Sequence, residues 1–90
     1  MKKYDLIAVP TVHLNGTSKQ ALLDQLQEAI GAIEDAGKAL ARAAPHGRDY
    51  YIQKDNPINA AMDQHDARME KLRSIVRELE FIAEQVVDQP

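Results

Sequence analysis

Ninety residues with a formal net charge of −3 make at most one domain, and the acidic balance argues against sequence-independent binding to long nucleic acid, which depends on surplus Lys and Arg. The absence of cysteine excludes a disulfide framework and a thiolate metal site, and fits a reducing cytoplasm. With one Phe, three Tyr and no Trp, the core must be built from Leu, Ile, Val, Ala and Met, and no apolar run approaches the ~20 residues of a membrane span.

Residues 1–16 read as an extended arm. Tyr4, Leu6, Ala8 and Pro10 alternate with other residues, and Val9, Val12 and Leu14 add apolar surface. Pro10 stops a helix and removes a donor from any strand ladder. Lys2 and Lys3 begin as a signal peptide would, but the apolar run that follows is short and contains Asp5, which argues against one. The arm either lies along its own helices or crosses to a neighbouring subunit.

Asn15-Gly16 is a turn signal. Thr17-Ser18-Lys19-Gln20 then matches a capping box, with Thr17 as N-cap and Gln20 reaching back. This predicts a first helix over 17–44. Its apolar seam is Leu23, Leu26, Ile30, Ile33, Gly37, Leu40 and Ala44, spaced alternately by three and four residues. Leu22, Ala29, Ala36 and Ala43 form a second stripe beside it. Gly37 costs about 1 kcal/mol against Ala inside a helix; tight packing, or the wall of a small pocket, would explain it.

Pro45 ends that helix, and a loop is expected over 45–56. Asn56 is the expected N-cap and Pro57 the first residue of a second helix over 57–87. The seam of this helix is the clearest pattern in the chain: Ile58, Met62, His65, Met69, Leu72, Val76, Leu79, Ala83 and Val86. The two helices are expected to match in length, at about 40–45 Å each. The fold class is therefore all-α, an antiparallel two-helix hairpin with an extended N-terminal arm. A lone hairpin leaves one side of each stripe wet. Ile75, Phe81, Ile82 and the alanine stripe are candidates to meet another subunit, giving a helical-bundle homo-oligomer, a dimer or larger.

Chemistry-bearing residues concentrate in the loop Pro45-His46-Gly47-Arg48-Asp49-Tyr50-Tyr51. Gly47 permits a left-handed turn. Arg48 offers a planar charged fork for phosphate or carboxylate. Tyr50 and Tyr51 offer ring faces for a base and hydroxyls for a ribose or phosphate, and His46 and Lys54 add donors. The start of the second helix turns a positive dipole end toward the same region. Together these could hold a nucleotide-like anion. Alternatively the tyrosines plug the end of the hairpin and Arg48 pairs with Asp49, Asp55 or a neighbour's acid.

His65 is the one polar residue in its seam and is expected opposite Ala36–Leu40, where small side chains leave room for a pocket. It is either a ligand-binding group or a core residue that fixes register. His13 and Thr17, with Asn15 and Ser18, form a polar group at the other end of the hairpin, some 40 Å from the loop by helix length. Only an antiparallel neighbour could join the two groups; otherwise they are a helix cap and a turn. The chain contains no GxSxG, P-loop, GxGxxG or HExxH motif, and its three histidines do not stand at metal-ligand spacing. No catalytic role, cofactor or metal is expected.

The loop above and the segment Val9-Pro10-Thr11-Val12-His13-Leu14-Asn15-Gly16-Thr17-Ser18 resemble those of small bacteriophage and prophage proteins of unassigned function. In architecture, without a shared motif, an oligomerising hairpin of this size is also similar to phage anti-defence sponges, which sequester nucleotide second messengers of host systems such as CBASS and Thoeris. That resemblance implies binding without catalysis in the bacterial host cytoplasm, at sites built between subunits from aromatic and basic side chains. The competing expectations are a module that inhibits a host protein and a structural phage component.

Overall fold

The computed structural model describes residues 6–90; Tyr4 and the initial lysines lie outside the described residues. Two α-helices dominate, α1 (Lys19–Arg42) and α2 (Ile58–Val87), and no strand occurs among the described residues. They pack side by side, and the Nζ of Lys19 at the head of α1 donates to the backbone carbonyl of Gln89, just past the end of α2. The helices are thus antiparallel, and the hairpin is 62 Å long and 16 Å thick, a single layer of helices.

Both seams face inward. Ile30 and Val86 are buried, and Leu23, Leu26, Ile33, Gly37 and Leu40 of α1 are half-buried, as are the other apolar seam residues of α2. Ala44 is exposed beyond the end of α1, so the seam closes one step earlier than its spacing suggests.

Both helix starts differ from expectation. Ser18, not Thr17, caps α1: its backbone is extended and its Oγ accepts from the amide of Ala21 at 3.1 Å. Gln20 does not reach back but donates to Asp24 Oδ1, one turn on, at 2.8 Å, so the capping box does not form. At α2 the cap position is Pro57, without a side-chain hydrogen bond. Asn56 cannot cap because its φ of 37°, like the 66° of Asp55, is left-handed, whereas a capping side chain needs extended backbone.

Nor do the helices match in length. With 24 and 30 residues they span about 36 and 45 Å. The interhelix groove is lined by residues 33–41 of α1 and 69–80 of α2. Roughly the first three turns of α2 therefore run past the end of α1, beneath the connection.

The arm has no regular secondary structure over 7–13 before a turn at 14–16, and Gln89 holds it on its own chain. Its inward residues are Ile7, Val9 and Val12, while Leu6, Ala8, Pro10 and Leu14 are exposed, the reverse of the alternation counted from Leu6. The phase is set by Gln89, whose side chain grips the backbone at Pro10 and Val12. No helix among the described residues is long and apolar enough to cross a membrane.

Candidate functional site

The connection 43–57 is a chain of tight turns. His46 caps a 3-10 turn, Gly47–Asp49, by accepting the amide of Arg48 on its Nδ1 at 3.1 Å. The amides of Tyr50 and Tyr51 both donate to the carbonyl of Gly47 at 3.0 Å, and two further turns follow, Gln53 to Tyr50 and Asn56 to Gln53. Gly47 does not have a positive φ; the left-handed residues are Asp55 and Asn56. The reversal thus comes at the end of the loop rather than after Pro45-His46.

These turns divide the two tyrosines. Tyr50 is half-buried, whereas Tyr51 is 67% exposed and its neighbour Ile52 76% exposed. Neither tyrosine is sealed into a plug. His46, Arg48 and Lys54 are also exposed. Arg48 is not bridged to Asp49 or Asp55, whereas Arg73 and Arg77 pair with Glu70. The loop end therefore presents a guanidinium, an ammonium, an imidazole and a phenol on one short backbone segment. The uncapped first amides of α2 stand at its close.

His65 is placed otherwise than expected. Ala36–Leu40 lie level with the groove stretch of α2, so His65 stands beyond the end of α1, beneath the connection. It is buried, at 6% exposure, and makes no hydrogen bond to a described residue. Its ring nitrogens are not sealed from solvent, since no buried side-chain nitrogen or oxygen among the described residues lacks a partner.

His13 and Thr17 belong to the opposite end. The carbonyl of His13 accepts from Gly16 at 3.1 Å, closing the turn before α1. The imidazole lies so near that a Cβ on Gly16 would come within 2.6 Å of Nε2, so glycine there leaves room for the ring. Thr17 is exposed and caps nothing. One chain thus brings together His46, Arg48, Tyr50, Tyr51 and Lys54, and does not bring His13 or Thr17 to them.

The pocket expected around Ala36–Leu40 is present as a cleft of about 490 Å³ between the helices, but its α2 side comes from residues 69–80 and does not include His65. Its floor is Ile33, Gly37, Ala41, Met69, Leu72 and Val76, and its rim carries Glu34, Lys38, Arg73, Arg77 and Glu80. The signal was present in Gly37 and Ala41, which thin one wall. Beside the rim, Glu70 accepts from Arg73 Nε at 3.1 Å and from Arg77 Nη2 at 2.5 Å. The Arg77 and then the Arg73 guanidinium hold its carboxyl below the usual range. No three His, Cys, Asp or Glu side chains among the described residues are grouped to hold a metal ion. Comparison with family models, with curated proteins and with solved structures finds no match to this chain.

Proposed function

We propose that this is a non-catalytic binding protein of the phage anti-defence type. It works as a homo-oligomer in the bacterial host cytoplasm and sequesters a nucleotide-derived signal, a cyclic oligonucleotide or an ADP-ribose derivative. The observation that carries this reading is the state of Arg48: exposed, without an ion pair to any described residue, and within three residues of the exposed Tyr51. An exposed guanidinium and an exposed aromatic ring on one short loop suit a phosphate attached to a base, because the guanidinium bonds two oxygens while the ring stacks. His46, Tyr50 and Lys54 lie on the same short connection, and on this reading His13 and Thr17 of a neighbouring subunit complete the site in an antiparallel assembly. His65 lies under the loop and supports its base.

Native mass spectrometry with a panel of cyclic di- and trinucleotides and ADP-ribose derivatives tests this. A stoichiometric adduct, released intact on heating and lost in Arg48→Ala while the oligomer persists, is the expected result. Equal affinity in Arg48→Ala removes the assignment, and turnover of the ligand removes the non-catalytic reading.

One observation favours a second reading, a module that inhibits a host protein. Tyr51 and Ile52 put adjacent apolar groups into solvent at the hairpin tip, as a protein-docking loop does. Under that reading no nucleotide adduct forms, and Ile52→Asp, which leaves phosphate chemistry untouched, abolishes capture of the partner.

A further inference from the structure

We infer that the groove between α1 and α2 is the surface on which a second copy of this chain docks, about a two-fold axis crossing the helices near Gly37 and Val76. This rests on the proposal that the protein works as an oligomer, and it names the surface.

The first argument is area. The chain exposes 6764 Å², whereas a compact monomer of its 10.1 kDa exposes about 5,300 Å². Its radius of gyration is 18.7 Å, against about 12 Å for a compact chain of this length. The surplus of about 1,500 Å² is what one partner contributes to an extensive homodimer interface. Only Ile30 and Val86 are buried apolar residues among those described, so a single hairpin layer has almost no interior. A second layer laid on the groove turns Ile33, Met69, Leu72 and Val76, none of them fully buried, into core.

The second argument is charge. Glu34 and Lys38 stand one turn apart on the α1 rim, with their midpoint at position 36; Arg73 and Glu80 stand on the α2 rim, with their midpoint between 76 and 77. Both midpoints lie within about 3 Å, along the helices, of the centre of the groove lining. A two-fold axis at that level sets each helix antiparallel to its own copy. It therefore places Lys38 against the second copy's glutamate at 34, and Arg73 against its glutamate at 80. One operation satisfies both pairs, as an isologous interface requires, and Arg77, which it brings close to its own copy, is balanced within each chain by Glu70. A peptide or lipid would have no reason to match a pattern complementary to itself. All four side chains are exposed in the single chain, and Arg73 commits only its Nε, to Glu70, of five N–H donors.

The third argument is Gly37. It sits mid-helix on the groove floor, where glycine is unfavourable, yet a Cβ there would meet nothing within 4 Å. The described residues of its own chain supply no reason for glycine at this position of the groove floor, whereas close approach of a second α1 would.

The test is sedimentation velocity over a concentration series, with far-UV circular dichroism to confirm helicity. The expected wild type is a dimer. Lys38→Glu and Glu34→Lys, both at exposed sites, each weaken self-association at least about tenfold, and mixing the two variants restores it, because only the mixed pair is complementary. Val76→Glu abolishes it, whereas Ile75→Glu, outside the groove lining, leaves it intact. A monomeric wild type overturns the inference and the oligomeric reading together. A dimer broken by Ile75→Glu but indifferent to Lys38→Glu and Glu34→Lys overturns the groove alone. So does failure of the mixture to reassociate, which a loss of folding in Val76→Glu would not obscure.

Discussion

Gln89 holds Val12 by a hydrogen bond from the Val12 amide to its Oε1 at 2.8 Å, while its Nε2 donates to the carbonyl of Pro10, also at 2.8 Å. One carboxamide thereby satisfies a donor and an acceptor two residues apart, as a neighbouring strand would. Its own backbone carbonyl receives Lys19 Nζ, so arm, α1 and the end of α2 meet at one residue.

Gln89→Ala is expected to release the arm, at a cost of about 1–2 kcal/mol for two partly exposed hydrogen bonds. Hydrogen exchange at the Val12 amide should accelerate while the amides of α1 and α2 keep their protection. Gln89→Glu should fall between, since a carboxylate still accepts from Val12 but cannot donate to Pro10. Equal exchange at Val12 in all three proteins would count against this clasp.

His65 is 6% exposed and makes no hydrogen bond to a described residue, so its ring contributes mainly through burial and its polarity adds little. His65→Leu is expected to raise stability by about 1 kcal/mol, or roughly 4–8 °C in Tm for a domain of this size. A fall in Tm would show that the imidazole has a stabilising partner in the assembled protein.

Glu70 gives a pH dependence whose sign follows from its guanidinium partners. Its carboxyl titrates below the ordinary value, first through the hydrogen bond from Arg77 and then through that from Arg73. A depressed folded-state value means the unfolded chain binds the proton more readily. The contribution is therefore fully present above the ordinary glutamate range and is lost as pH falls through the lower folded value. Urea titrations should show wild type and Glu70→Gln differing at neutral pH and converging in acid. Because the group is exposed, the difference is small and salt-sensitive.

In the loop, Gly47 and Asn56 exchange the roles their residue types suggest. Gly47 has no positive φ, and a Cβ there meets nothing within 4 Å, so Gly47→Ala should stabilise by about 0.5 kcal/mol through the unfolded state. Asn56, at φ 37°, should tolerate Gly but lose about 1–2 kcal/mol as Val, whose branched Cβ clashes in left-handed backbone. Denaturant melts of the three variants check this, and Gly47→Ala should leave binding through Arg48 unchanged.

The heptad spacing from Leu23 to Leu40 and from Ile58 to Val86 was sufficient for two amphipathic helices, because which face of a helix is apolar depends only on local periodicity. Pro45 and Pro57 bounded the connection for the same local reason. The caps were less legible: Thr17 and Ser18 are chemically equivalent candidates, and only backbone angles chose between them. The register of α1 against α2 was not local at all. It depends on how fifteen connecting residues, 43–57, fold into successive turns, and that register moved His65 from an interhelix pocket to the underside of the loop. The arm's phase likewise awaited Gln89, seventy-seven residues from Val12. Periodicity determined which faces are apolar; tertiary structure decided which residues meet, because meeting depends on chain paths that no short window of sequence contains.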